Sequence, residues 1–220
     1  MGAPAFDPDR VPLERGWLAP TVREQQPGLE LRYAIVPGGR RRSPRALRAR
    51  LAELAQRLGG PQAVQLRHRD VPWAYRLAFH RLGLDPDRER TPVEGLALAR
   101  LVRGGLPSSG LPRDAVVLAI AETGVALRAL AADGMVGAPG LRVAAPGEEL
   151  AGRPGALRPG EVVIADERAP LALPFGPAAR DHEVGRRTRA TLLCALRVQG
   201  VPEATVEEAL WLALGTLAES

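Results

Sequence analysis

The stretch from Gly160 to Cys194 constrains the fold more than any other part of the chain. It contains apolar segments at 162–165, 171–176 and 191–196, and a loop rich in arginine, aspartate and histidine separates the last two. Short apolar segments bounded by turn residues are typical of buried strands. A charged loop held between buried strands is a frequent place for ligand binding, although a plain strand–loop–strand unit of a core has the same pattern.

Helical periodicity predicts three helices before this stretch and one after it. In each of them, leucines and other apolar residues recur three or four positions apart, as the buried face of a helix requires. Residues that favour the N-terminal cap of a helix precede these segments. The expected caps are Ser43, Asp70, Thr91 with Glu94, and Thr205 with Glu208.

The strand pattern completes the prediction of an α+β fold. Segment 115–121 is continuously apolar and indicates a buried central strand, and segments 29–36, 125–130 and 141–145 read as further strands. We therefore expect a mainly antiparallel sheet core with three helices before it and one C-terminal helix. Residues 1–220 form one domain in this interpretation, with the proline-rich segment 1–28 loosely structured.

Arginine supplies all 30 basic residues, and the chain contains no lysine. This excludes a phosphate loop ending in Lys-Ser/Thr and a Schiff-base lysine. The single cysteine and three histidines have no zinc-ligand spacing, so we expect neither a metal nor a cofactor. Guanidinium groups bind oxyanions bidentately, which favours phosphate recognition. Basic proteins that do not bind nucleic acid can have a similar net charge, so the charge alone does not establish an RNA or DNA partner. After these exclusions, the functions that remain are hydrolysis by a positioned water and binding without catalysis.

The expected location of the protein is the cytoplasm. The longest apolar runs are far shorter than the roughly 20 residues that span a membrane, so no membrane association is expected. The N-terminal residues lack the basic and apolar regions of a secretory signal. One cysteine excludes an intrachain disulfide framework.

An ordered series of motifs resembles a known family. The segment GEVVIADERAPLALPFGPAARDHEV, followed by Thr188 and TLLCA, is similar to the tRNA-binding and editing module, the B3/B4 domain, of the phenylalanyl-tRNA synthetase beta subunit. Upstream, YRLAFHRLGLDP, RTPVEGLALARLVRGG, AIAETGVALRALAADG and LRVAAPGEEL resemble free-standing proteins that carry this module. The resemblance covers roughly residues 71–199, and the catalytic core of the synthetase is missing.

The resemblance implies an enzyme that hydrolyses misacylated aminoacyl-tRNA in trans, with the aminoacylated 3′ end of tRNA as its partner. Either Glu122 or Asp181 could orient the attacking water, and an activated ester needs little more than that water and an oxyanion site. Arg180 and Arg90 could hold the terminal adenosine or its phosphates. The substrate- and RNA-binding residues in this interpretation are Tyr75, Arg90, Glu94, Asp133, Gly176, Arg180 and Cys194.

Cys194 is a departure from the family pattern. The module carries a glutamate in the corresponding strand, and that glutamate reads the hydroxyl group of tyrosine. A thiol is a poor acceptor for a buried phenol, so we expect a substrate other than tyrosyl-tRNA, with a smaller or apolar amino acid. In addition, Gly176 is followed by Pro177, where the module has paired glycines.

Simpler interpretations stand beside these assignments. Glu94 also completes a capping box, and Arg180 with Asp181 has the pattern of a surface ion pair. Two further functions are consistent with the chain, namely a tRNA- or RNA-binding module without catalysis and a regulatory protein that binds a free amino acid. Salt-dependent tRNA binding without hydrolysis would identify the first, and binding of a free amino acid would identify the second.

Overall fold

The computed structural model describes residues 6–59 and 65–219, and these residues form an α+β fold with two four-stranded sheets. Their α-helices are α1 (Pro20–Gln25), α2 (Arg45–Arg57), α3 (Asp70–Arg81), α4 (Pro86–Glu89), α5 (Pro92–Arg103), α6 (Arg113–Thr123) and α7 (Glu203–Ala218). Their strands are β1 (Glu14–Arg15), β2 (Trp17–Leu18), β3 (Glu30–Pro37), β4 (Ala126–Ala131), β5 (Gly140–Val143), β6 (Val162–Ala165), β7 (Pro170–Ala172) and β8 (Ala190–Arg197). The predicted fold class is confirmed.

The first sheet has the order β1-β3-β8-β4 and is antiparallel throughout. The second has the order β2-β5-β6-β7, and only its β2–β5 pair is parallel. Helices α6 and α7 pack against each other, and α7 also packs on β8. In the register of the first sheet, Cys194 lies between Tyr33 and Arg128. Directly opposed residues project from the same face, so these three side chains are neighbours.

Residues 14–18 connect the two sheets, although the segment 1–28 was expected to be loosely structured. Strand β1 pairs with β3 in the first sheet, and β2 pairs with β5 in the second. Gly16 lies between them, where a Cβ atom would come within 2.8 Å of the Leu31 side chain and of the Pro139 carbonyl oxygen. A glycine is therefore required for this close approach. Residues 1–5 lie outside the described residues.

The prediction of a central strand at 115–121 is wrong, because this segment forms most of α6. The helix ends at Gly124, which has a φ of 75° and provides the left-handed C-terminal cap. Leu118 and Ala119 are fully buried, and a helix covered on several sides has no polar stripe to mark its period. Glu122 thus lies in the last turn of this helix. With α1 and α4, the described residues also contain more helices than predicted.

The predicted caps had mixed outcomes. Thr91 and Glu94 form the expected capping box of α5. Ser43 instead donates a hydrogen bond to the buried Asp114 at 2.6 Å, and Pro44 occupies the cap position of α2. The other two helices begin at different residues from those expected, with Arg69 as the cap of α3 and Pro202 as the cap of α7. No described helix is long and apolar enough to cross a membrane.

Candidate functional site

The loop 173–177, which follows β7, separates two clefts of about 220 Å³ each. Pro174, Phe175 and Gly176 line both clefts. We name the first the Glu161 cleft, and its remaining lining residues are Leu82, Leu84, Glu89, Arg153, Arg158, Glu161, Val162, Leu173 and Pro177. We name the second the Arg128 cleft, and its remaining lining residues are Arg90, Pro92, Ala126, Leu127, Arg128 and Leu196.

The Glu161 cleft places a carboxylate between two arginines and beside an apolar wall. Glu161 Oε2 accepts a hydrogen bond from the Arg158 backbone N–H at 2.9 Å, and Glu161 Oε1 lies 3.3 Å from Arg158 Nη2. Arg153 Nη1 lies 3.7 Å from Glu161 Oε2, which is close enough for attraction but too long for a hydrogen bond. This Nη1 atom is buried and has no hydrogen-bond partner among the described residues. The cleft therefore offers an oriented carboxylate together with an unused cationic donor.

Arg128 fixes the loop from the other side. Its guanidinium donates hydrogen bonds to the carbonyl oxygens of Leu173, Pro174 and Gly176, at 3.3 Å to Pro174 and 3.0 Å to Gly176. Burial lowers the pKa of Arg128, because its positive charge is partly removed from water. The Nε atom of this side chain is buried and makes no hydrogen bond among the described residues. Three backbone carbonyls thus take the place of a carboxylate partner.

Aromatic contacts hold Phe175 at the tip of the loop. Its ring centroid lies 4.5 Å from that of Phe79 and 6.1 Å from that of Tyr75, the latter in an edge-to-face arrangement. Tyr75 is itself fully buried, and its hydroxyl accepts from the Ala126 N–H at 3.0 Å and donates to the Leu196 carbonyl oxygen. Helix α3, β4 and β8 therefore support the loop through one aromatic cluster.

Three of the predicted residues lie at or beneath these clefts. Gly176 lines both, Arg90 lines the Arg128 cleft, and Tyr75 supports Phe175 from the core. Arg90 has a φ of 46°, which is unusual for a residue with a side chain. Glu94 has a structural partner instead, because it accepts from Arg76 Nη1 at 2.9 Å in addition to its capping contacts.

The remaining predicted residues lie elsewhere. Glu122 lines a separate cleft of about 230 Å³ and forms an ion pair with Arg57 at 3.1 Å. Asp133 binds Arg189, whose backbone and side-chain N–H groups lower the pKa of the carboxyl group. Arg180 and Asp181 are exposed on a short 3-10 turn at Arg180–His182. The structure thus separates Glu122 and Asp181 from the two clefts beside the loop.

Cys194 is part of the core. It is fully buried, and burial raises the pKa of its thiol to about 12, with a smaller opposing effect from the nearby Arg128. The neutral thiol is therefore the form present at physiological pH, and it lines neither of the clefts beside the loop.

Sequence reasoning did not identify four residues that shape these clefts: Arg128, Phe175, Arg153 and Glu161. Arg128 carried a usable signal, because it is the only charged residue of the strand segment ALRALA. A lone charge inside an apolar strand needs a partner, and here the partners are loop carbonyls. Arg153 and Glu161 occur in a glycine- and proline-rich segment that gave no such signal.

No protein-family model matches this chain. A search of curated proteins also finds no match. The resemblance to an aminoacyl-tRNA editing module therefore remains an expectation, and the geometry of the clefts is the basis for assigning a function.

Proposed function

We propose that this protein is a trans-acting editing deacylase that hydrolyses misacylated aminoacyl-tRNA in the Glu161 cleft. The observation that carries the proposal is the grouping of Glu161 with Arg153 and Arg158 beside the apolar surface of the 173–177 loop. The aminoacyl ester proposed as the substrate has a small or apolar side chain, a polarised carbonyl and a nearby phosphate. The apolar loop surface, the carboxylate of Glu161 and the guanidinium groups of Arg153 and Arg158 complement these three features.

In this mechanism, Glu161 orients and deprotonates a water molecule that attacks the carbonyl carbon of the ester. The bond between that carbon and the ribose oxygen then breaks, and the ribose oxygen leaves with a proton from Glu161. Arg153 Nη1, which has no hydrogen-bond partner among the described residues, donates to the oxyanion of the tetrahedral intermediate. The backbone N–H of Arg158 keeps the Glu161 carboxylate in position.

The loop and its supports favour a small or apolar amino acid as the ester's acyl group. Leu82, Leu84 and Phe175 form the apolar wall of the cleft. The resemblance places Cys194 at the position of the tyrosine-reading glutamate, and this thiol is fully buried and does not line the cleft, so it cannot accept from a substrate hydroxyl group. This is why we propose a substrate other than tyrosyl-tRNA.

The test is a single-turnover deacylation screen over tRNAs misacylated with different amino acids. We expect hydrolysis of at least one ester by the wild-type protein, and a loss of about 100-fold in rate for Glu161→Gln, since general-base catalysis contributes about that factor. Glu149→Gln, an exposed glutamate, is the matched control and should keep the wild-type rate. Absence of turnover for every ester, or equal rates for the wild type and Glu161→Gln, would reject the proposal.

RNA binding without hydrolysis is the second candidate function. It is favoured by the positions of Glu122 and Asp181, the two carboxylates predicted from the sequence as candidates for orienting the water, because neither lies in a cleft beside the loop. Salt-sensitive tRNA binding by a protein that hydrolyses no ester in the screen would establish this function. The deacylation rates of Glu122→Ala and Asp181→Ala are compared with that of the wild type in the same screen. If Glu161 is the general base, both variants hydrolyse the ester at the wild-type rate.

A further inference from the structure

Another cleft, near the start of β8, is strongly basic. Its volume is about 390 Å³, and we name it the Arg48 cleft. Its lining residues are Arg40, Arg41, Arg42, Ser43, Arg48, Ser108, Ser109, Gly110 and Arg186. Five of these are arginines, and none of the lining residues is a carboxylate or an apolar residue. The arginines come from the segment after β3, from α2 and from the loop before β8.

The floor of this cleft is a built structure. Arg41 and Leu111 exchange two backbone hydrogen bonds, and Gly110 lies against them with a φ of 87°. A Cβ atom at Gly110 would come within 2.5 Å of the Arg41 carbonyl oxygen, so only glycine allows this contact. The Arg40 N–H donates to the Gly185 carbonyl oxygen at 2.8 Å, which attaches the loop carrying Arg186 to the segment after β3.

Asp114 beneath the cleft is already satisfied by other donors. It is buried, and it accepts from Ser43 Oγ at 2.6 Å, from the Ser109 N–H at 2.8 Å and from Ser108 Oγ. These bonds fix the 108–110 loop, and they leave the neighbouring arginines without this carboxylate as a partner.

Four arginines of the cleft are exposed and form no ion pair with a carboxylate of residues 6–59 or 65–219: Arg40, Arg42, Arg48 and Arg186. Elsewhere in the fold, arginines such as Arg76 and Arg142 are paired with carboxylates. Unpaired cations in a concave site raise the local concentration of anions. The cleft therefore carries a concentrated positive charge.

We propose that the Arg48 cleft binds consecutive phosphates of an RNA backbone. Guanidinium groups bind phosphate oxygens bidentately, and several of them around one depression match a chain of phosphates better than a single anion. A membrane surface is a poorer match, because the cleft is concave and no apolar residue lines it for insertion. The identity of the RNA as tRNA rests on the proposed function, whereas the phosphate chemistry rests on the cleft alone.

The position of the cleft gives this site a separate role from the Glu161 and Arg128 clefts. Arg186 lies just before β8, and Leu196 of the Arg128 cleft lies near its end. Eight strand residues span roughly 25 Å at about 3.4 Å per residue. The Arg48 cleft would thus hold the body of an RNA whose 3′ end reaches the loop 173–177.

The experiment measures fluorescence anisotropy of a labelled, deacylated tRNA at several salt concentrations. We expect the double variant Arg42→Glu/Arg48→Glu to lose about ten-fold or more in affinity, with a shallower dependence on salt because about two phosphate contacts are lost. The double variant Arg23→Glu/Arg50→Glu is the matched control, since it makes the same charge change at exposed positions that do not line the cleft. Thermal unfolding of all variants verifies folding, and Arg186→Gln tests the cleft with a milder change.

The inference is overturned if the control loses as much affinity as the cleft variant, or if the cleft variant binds like the wild type. Selective loss of binding to anionic phosphatidylserine vesicles, with unchanged tRNA affinity, would also overturn it. Hydrolysis of a 3′-aminoacyl-adenosine ester, which has no RNA backbone, reports on the Glu161 cleft alone. Failure of that reaction in the wild type would remove the proposed deacylase and leave the tRNA-binding result intact.

Discussion

Arg128 donates a hydrogen bond to the carbonyl oxygen of Gly176 at 3.0 Å, across the gap between the first sheet and the loop 173–177. The same guanidinium also binds the carbonyl oxygens of Leu173 and Pro174. A cation that is partly removed from water is costly unless its hydrogen bonds are made, and here the backbone of one loop provides them. The loop that separates the two clefts is therefore held by a side chain from the opposite sheet.

Replacing Arg128 should loosen this loop. We expect Arg128→Leu to lower the free energy of unfolding by about 2 kcal/mol, because the loop carbonyls lose their charged donor. The measurement is urea denaturation, combined with hydrogen exchange of the Leu173 and Gly176 amides, which should become faster. Arg168→Leu alters an exposed arginine and serves as the control. Unchanged exchange at both loop amides would contradict the assigned role.

Gly176 should tolerate no side chain without movement of the loop. A Cβ atom there would lie 2.9 Å from both Cβ and Cδ1 of Leu173, which is closer than normal packing allows. We expect Gly176→Ala to lower the deacylation rate by about ten-fold or more, since small displacements of a catalytic site have effects of this size. Gly215→Ala, in an open helical position of α7, is the control and should raise stability by about 1 kcal/mol or less. Equal rates for both variants would argue against the loop as part of the site.

Tyr75 should contribute more stability through its hydroxyl group than Tyr33 does. The Tyr75 hydroxyl bridges the backbone of β4 and β8 and is fully buried, so Tyr75→Phe leaves the Ala126 N–H and the Leu196 carbonyl unsatisfied. We expect a loss of about 1–3 kcal/mol in unfolding free energy. In Tyr33→Phe only the bond to the exposed Glu14 is lost, and we expect less than about 1 kcal/mol. Denaturation of the two variants side by side measures the difference, and the reverse order would refute the prediction.

Stability should decrease in acid through Glu148. The hydrogen bonds from Arg142, at 2.5 and 2.6 Å, lower the pKa of the Glu148 carboxyl group. Because the folded-state pKa lies below the unfolded value of about 4.3, the stabilisation is complete above that value and is lost as the pH falls through the folded-state pKa.

We therefore expect the wild type to lose more stability than Glu148→Gln when the pH falls from about 6 to about 3. Urea denaturation at both pH values gives this difference, and Glu149→Gln, which changes an exposed neighbour, should behave like the wild type. An identical acid sensitivity of Glu148→Gln and the wild type would show that this pair does not contribute.

Local sequence patterns predicted much of the secondary structure. The segment of β3 begins with alternating apolar and polar residues, and the segment of β8 is largely apolar. Turn residues bound both segments, so the sequence pattern alone predicted the positions of these strands. Thr91 and Glu94 predicted the start of α5 correctly. The same reasoning failed at α6, because an apolar run that is buried on several sides carries no periodic signal to distinguish a helix from a strand.

The candidate site depended on contacts between residues far apart in the chain. The sequence by itself determined that the chain has an α+β fold, that all its cations are arginines, and that a charged loop follows β7. Only the tertiary structure decided that Arg128 reaches the uncharged loop 173–177 from β4, that Glu161 faces Arg153, and that Glu122 lies in another cleft. The physical reason is that secondary structure follows local periodicity, whereas a cleft is formed by packing between elements that no local pattern relates.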